Sequence, residues 1–314
     1  MAMSELTTRT VAPLSRPAST NPIQIYWHYV VSLVIIHLLA LLAFVPWLFS
    51  WVGLVTCLLS LYIFGTLGIN LGFHRLLTHR SLTLPKWLEH CVATLAVCCL
   101  QDSPARWVAI HRLHHQHSDD QPDPHSPLVN LFWGHVGWVV VKNRHHDIAS
   151  HYEHYCRDIL RDPYYFWCER NHRWFWVYVA HAALFYLVGL AIGWTTSGDW
   201  LHGVQLGASL LVWGVFVRTV VVWHSTWSVN SFGHVFGYRN YDTRDSSRNN
   251  LFFGLLSNGD GWHNNHHAYP RCAAHGHKWW ELDVTYTTIR ILEVLGLASN
   301  VVKHPLENAH TSRK

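Results

Sequence analysis

Charge is what this chain has least of. Asp, Glu, Lys and Arg make up 13% of its 314 residues, about half the share usual for a soluble domain, which argues against an ordinary water-exposed surface. The net charge of +4 is too small to suggest a nucleic-acid partner and suits anionic headgroups on one face of a bilayer. No C-x-x-C pair occurs among Cys57, Cys91, Cys98, Cys99, Cys156, Cys168 and Cys272, and no spacing fits a zinc ribbon or an iron–sulfur cluster. These cysteines read as small buried hydrophobes in reduced surroundings. Residues 1–23 lack an apolar core followed by a small-residue cleavage site, so a cleavable signal peptide is not expected. Their Ser, Thr and Pro content predicts a disordered segment over 1–25.

Long apolar runs are abundant, and half of the chain is hydrophobic. Tyr26–Phe49, Trp51–Leu71, Trp174–Trp194 and Trp200–Val222 are each long enough to cross a bilayer of about 30 Å. The links at Ser50 and Thr195–Asp199 are so short that both pairs must be antiparallel hairpins. Leu88–Leu100 is apolar but too short to cross, and is expected at the interface or under a soluble cap. The Trp and Tyr residues suit the headgroup belts at helix ends. Of the 23 Lys and Arg, 2 fall in residues 1–25, 11 in 73–173 and 9 in 224–314, Arg218 lies inside the fourth span, and the two links have none. The positive-inside bias places both termini and both long segments in the cytoplasm. The predicted fold is an all-α integral membrane protein: four transmembrane helices in two hairpins carry a cytoplasmic helical cap, 73–173 and 224–303, holding a dimetal site. Residues 26–303 form a single domain, followed by a polar tail over 304–314.

The 27 histidines outnumber the 23 Lys and Arg, and eight of them fall in three clusters, each just beyond an apolar run. These are His74-Arg-Leu-Leu-Thr-His79, His111-Arg-Leu-His114-His115 and His263-Asn-Asn-His266-His267. Positions i, i+3 and i+4 share one face of an α-helix, so His111, His114 and His115 project together, as do His263, His266 and His267. His74 and His79 are five apart and diverge on a regular helix, as two residues flanking a metal pair or serving different ions would. His234 follows Asn230 by four residues, and Asn230 could bind a metal or a metal-bound water. Imidazole is the commonest protein ligand for transition metals, so the clusters predict a polynuclear centre. Isolated histidines have a plainer reading: His37, His90, His135, His181, His202 and His224 are expected to be interfacial or hydrogen-bonded. The E-x-x-H pairs Glu169/His172 and Glu307/His310 resemble half of a carboxylate-bridged diiron site, but are read as coincidence.

These residues resemble the integral-membrane fatty acyl desaturases, over roughly residues 26–303. The likeness extends to Gly72-Phe-His-Arg-Leu-Leu-Thr-His79-Arg80, Trp107, Ser118-Asp119, Asp123-Pro-His125, Gly134-His-Val-Gly-Trp138 and Gly261-Trp-His-Asn-Asn-His-His267, and is nearest to the Δ9 branch with bacterial and cyanobacterial acyl-lipid members. The resemblance implies nine iron ligands, His74, His79, His111, His114, His115, His234, His263, His266 and His267, with Asn230 reaching the second metal through water. It implies two iron ions, O₂ as co-substrate, and a separate electron donor of ferredoxin or cytochrome b5 type. The acyl chain loses two hydrogens to give a cis double bond, and two waters form. Iron suits the attack on an unactivated C–H bond, which acid–base groups cannot make, and zinc does not. Nine imidazoles around two ions leave positions open for O₂. Asp119, Asp123 and Asp260 are expected to hydrogen-bond the remote imidazole nitrogens.

The acyl chain would lie in a narrow tunnel between the second and fourth spans, with Trp107 in its wall. Acyl-CoA members of the family carry an Arg-Asp pair just before the second box, where this chain has Ala109 and Ile110. The expected substrate is therefore an acyl chain esterified in lipid, with acyl-CoA as the alternative, and Lys142 and Arg144 are the expected headgroup contacts. Two rivals stand beside this reading. A diiron membrane hydroxylase or alkane monooxygenase would add oxygen rather than remove hydrogen. A metal- or haem-binding carrier would favour histidines inside opposing spans, such as His37 and His181.

Overall fold

The computed structural model describes residues 13–305. Within them the chain is helical, with isolated backbone bridges and no strand. Four helices have the length and composition to cross a membrane: Trp27–Phe44, Trp51–Thr78, Pro163–Ser197 and Trp200–Phe232. The first is shorter than predicted. Pro46 opens a separate turn at Pro46–Leu48, and Ser50 then caps the second helix by accepting a hydrogen bond from the Gly53 amide at 2.9 Å. The second hairpin turns at Gly198, whose φ of +70° ends the helix Arg173–Ser197, and Asp199 caps the fourth helix by accepting from the Leu201 amide at 3.0 Å. Both turns lie at the same end of the molecule, where Gln205 donates to the Trp47 carbonyl at 2.8 Å and the Ser50 and Ser209 hydroxyls meet at 2.7 Å.

Small residues set the spacing of the third and fourth spans. A Cβ on Gly189 would lie 2.7 Å from Gly207 Cα, and one on Gly193 would lie 2.8 Å from Gly203 Cα, so the two backbones touch. Close approach through glycines spaced four apart is how helices gain packing in lipid, where no hydrophobic force separates helix from solvent. Gly207→Leu should force the helices apart and cost about 1–3 kcal/mol, the usual penalty of overpacking. A thermal-unfolding midpoint unchanged from that of the parent protein would contradict this packing.

The second and fourth spans run further than their apolar runs suggested. Predicted to end at Leu71 and Val222, they continue as helix to Thr78 and Phe232, and so lift His74 and Asn230 into the cap. Leu88–Leu100 is mostly the helix Lys86–Val97, which is laid along the second span. Gly68 admits it: a Cβ there would meet the Ala96 amide at 2.6 Å. Val92, Ala93, Ala96 and Val97 are buried in that contact.

Residues 13–25 are not the disordered lead-in predicted for them. The Leu14 amide bonds the Leu128 carbonyl at 3.0 Å, and residues 19–26 run beside 140–144. There Arg144 donates to Ser19 at 3.2 Å, Lys142 to Gln24 at 2.7 Å and Tyr26 to Val140 at 2.8 Å, all through backbone groups. Backbone pairing needs no apolar pattern, so a polar sequence concealed it. The remainder of that segment, residues 1–12, lies outside the described residues, as does the polar tail beyond Pro305.

Candidate metal centre

His74 and His79 are brought together by the winding of the helix that carries them. The chain from Leu61 to Thr78 is wound as a π-helix, and the His79 amide closes onto the His74 carbonyl at 3.1 Å, five residues back. That winding places residues five apart on one face, where an α-helix would turn them away from each other. The two rings lie 4.9 Å apart and belong to one group, which corrects the expectation that they diverge. Ordinary α-winding serves the second box. Ser103 caps the helix Pro104–His117 by accepting from the Arg106 amide at 3.1 Å, and Pro104 starts it. The third box forms the short helix His263–Ala268.

All nine imidazoles converge in two groups. His74, His79, His111, His115 and His266 form one, and His114, His234, His263 and His267 the other. Within the first, the Nε2 atoms of His74 and His266 lie 3.0 Å apart, those of His266 and His115 2.9 Å, and those of His115 and His111 3.1 Å. In the second, His234 and His263 Nε2 are 2.9 Å apart. The remaining Nε2 atoms, on His79, His114 and His267, are buried with no hydrogen-bond partner. Two imidazole nitrogens that both carry lone pairs repel, and a buried nitrogen left unpaired costs free energy. A cation placed among them resolves both conflicts. The donor set therefore fits two metal ions, one bound by five nitrogens and one by four.

The remote nitrogens decide which way each ring presents its lone pair. Nδ1 of His74 lies 2.9 Å from Asp260, that of His114 3.0 Å from Asp123 and that of His234 2.9 Å from Asp119. Each pairing puts a proton on Nδ1 and leaves Nε2 free to face its group. A fourth carboxylate, Asp245, does the same for His267 at 2.7 Å, and the sequence reading missed it. Asp245 stands 22 residues before its histidine and belongs to no box, so only the folded chain reveals it. Asp245→Asn should weaken metal binding about 10- to 100-fold, as loss of such outer partners does elsewhere. Metal titration monitored by atomic absorption measures this, and an unchanged affinity would count against the role given to Asp245.

Burial dominates the protonation of these rings. It drives His79, His111, His115, His263 and His266 well below the ordinary histidine range, and repulsion among the neighbouring imidazoles adds to it, so the rings are neutral ligands. His234 goes the other way. Burial favours its neutral form, but the carboxylates of Asp119, Asp245 and Asp123 together outweigh burial and raise its pKa to about 9, so a metal ion would displace a proton from its Nε2. Asp260 is buried yet held well below the usual carboxylate range by His74, His275 and Arg75.

Other sequence candidates do not join the nine. His37 Nε2 meets His224 at 3.1 Å, His224 Nδ1 meets His135 at 2.9 Å, and His181 accepts from Arg218 at 2.9 Å. Glu169 accepts from the Tyr152 hydroxyl at 2.6 Å and from Ser103, whereas His172 stands at the mouth of a cavity, so this E-x-x-H pair makes no metal site. Glu307 and His310 lie outside the described residues.

A cavity of about 480 Å³ leads away from the histidines. His74, His111, His263 and the buried Asn230 are among its lining residues, so the cavity reaches both groups. Trp107 forms part of its wall and stacks on His111 with ring centroids 5.0 Å apart. Gln101 ties that wall together, accepting from Trp107 Nε1 at 3.2 Å and donating to Thr226 at 3.1 Å. Lys142 and Arg144 are not among the residues that line the cavity. Lys142 pairs with Asp147 at 3.6 Å, and the alternation of extended backbone turns Asn143, between them, toward the cavity. Arg106 is the one lysine or arginine among the lining residues, and it is already paired with Asp102 at 3.2 Å.

Four apolar helices beneath a cap with nine convergent imidazoles define a membrane metalloenzyme. Comparison with known sequences makes the class specific. The profile of the family described as fatty acid desaturase matches residues 49–290. The chain is 42% identical over 284 residues to the sn-1 stearoyl-lipid 9-desaturase of Anabaena variabilis, covering 90% of this chain and 96% of that one. It is 39% identical over 294 residues to the sn-2 palmitoyl-lipid 9-desaturase of a Nostoc species, covering 93% and 96%. The icosanoyl-CoA 5-desaturase of Limnanthes douglasii is 38% identical over 278 residues, covering 88% and 72%. The chain belongs to the fatty acid desaturase family, and its activity is that of an oxidoreductase that desaturates fatty acyl chains.

Proposed function

We propose that the protein inserts a cis Δ9 double bond into saturated acyl chains esterified in membrane lipid, using two irons and O₂. The observation that carries this is the division of nine Nε2 atoms into groups of five and four at the end of an acyl-sized cavity. Iron at the two groups would supply the oxidising power, drawn from O₂, that removal of hydrogen from an unactivated methylene requires. The residues supply the rest. The nine histidines named above would bind the ions and Asn230 would hold a water against the second, while Asp119, Asp123, Asp245 and Asp260 fix the rings. Trp107, held by Gln101, positions the chain, and the depth to which it enters selects the carbons that react.

Two features support lipid over coenzyme A. The relatives matched along nearly their full length are lipid 9-desaturases. The cavity offers one guanidinium, already neutralised by Asp102, where a coenzyme with several phosphates needs free cations. The Lys and Arg distribution supports a cytoplasmic position for both termini and for the histidines. Two electrons per double bond must come from outside, from a separate one-electron donor of ferredoxin or cytochrome b5 type.

Expression in a host without desaturases, followed by mass spectrometry of fatty acid methyl esters, tests the reading. Loss of two hydrogens between carbons 9 and 10 is expected. A gain of one oxygen would identify a hydroxylase instead, and no product from an iron-loaded, reduced protein would refute the enzyme altogether.

A further inference from the structure

The acyl cavity is covered on the cap side. The paired segments 19–26 and 140–144 lie across it, and Val141, Asn143 and His146, which line it from that side, are all buried. Of all the residues around the cavity, His28, His172 and Phe175 alone are exposed. His28 lies in the first turn of the first span, and His172 and Phe175 at the start of the helix Arg173–Ser197. The opening therefore faces sideways, between two membrane-spanning helices. Trp27 and Trp176, both exposed beside it, set its depth at the headgroup belt. Asn171 and His172 hold the mouth in consecutive left-handed conformations with φ of +56° and +52°, a strained arrangement for two residues other than glycine.

We infer that this opening is a lateral portal through which an intact glycerolipid passes an acyl chain from the bilayer to the metal centre, its headgroup staying at the belt beside His28 and His172. The inference rests on the acyl-lipid reading. A lipid already in the leaflet reaches the portal by diffusing in the plane, and its chain enters one apolar medium from another. Its headgroup stops at the exposed imidazoles of His28 and His172, with the part-buried Tyr29 and Arg106 further inside. An acyl chain delivered from the cytosol would have to pass the closed cover instead.

A steric block tests the portal. In a Cys91→Ser background, which removes an exposed thiol, Phe175→Cys and His145→Cys are each labelled with a bulky maleimide. His145 is exposed on the cover and lines no part of the cavity. Membranes containing 1-stearoyl-2-oleoyl-phosphatidylglycerol, supplied with host cytosol as electron source, are assayed before and after labelling. Labelling at position 175 should abolish desaturation of the lipid while metal content stays constant, and labelling at 145 should leave the rate as it was. Full activity after labelling at 175, or loss only at 145, overturns the portal and leaves the acyl-lipid reading standing. Unlabelled protein that converts stearoyl-CoA but not the lipid overturns both.

Discussion

His266→Ala should abolish desaturation and remove one metal ion from the protein. His266 is fully buried, and its Nε2 stands 3.0 Å from that of His74 and 2.9 Å from that of His115, at the middle of the five-membered group. Its loss withdraws a nitrogen that two others face, leaving four rings arranged for a fifth. Removing an outer partner of a metal ligand costs about 10- to 100-fold, so removing a ligand should cost more than that. Metal bound per polypeptide should fall by one ion, since His114, His234, His263 and His267 are untouched. Plasma emission spectrometry reads the metal and methyl ester analysis the product. A variant that keeps its full metal content and turnover would remove His266 from the site.

Asp260→Asn should damage stability and metal binding together. One carboxylate oxygen accepts from His74 at 2.9 Å, and the other accepts from Arg75 at 2.9 Å and approaches His275 at 3.2 Å. Arg75 is wholly buried and keeps a second partner, Asp283, at 2.9 Å. Leaving a buried charge short of a partner costs about 3–5 kcal/mol, and the surviving Asp283 contact favours the lower end. Asp283→Asn is the informative companion, because it strips Arg75 of a carboxylate without touching His74. It should lower the unfolding midpoint yet retain both metals, whereas Asp260→Asn should lose the metal next to His74 as well. Equal metal retention in the two variants would show that Asp260 serves the fold alone.

Much of this site can be read in the sequence because its signals are local. The H-x-x-H-H spacing is a property of one helix turn, and the apolar runs mark the spans that carry it. What stayed hidden depends on contacts between distant segments. Asp245 meets His267 only after the chain has folded back, and the pairing of residues 19–26 with 140–144 is made by backbone groups that any side chain permits. The misplaced span ends have a different cause. Apolar content stops near Leu71 and Val222, but helical hydrogen bonding continues through polar residues once cap side chains replace lipid around them. The charge of Lys142 and Arg144 does not show in the sequence which residue of 142–144 meets the cavity; Asn143 does.

The π-winding at the first box bears on how such a centre tolerates change over evolutionary time. A single inserted residue normally rotates everything after it by about 100° on an α-helix. Here the π-winding that runs from Leu61 to Thr78 ends with the amide-to-carbonyl bond from His79 to His74, which sets the two rings on one face. A histidine pair four apart on an α-turn and one five apart on a π-turn thus present their rings to the same ion. The gap between paired histidines is therefore a looser signature than the face they share.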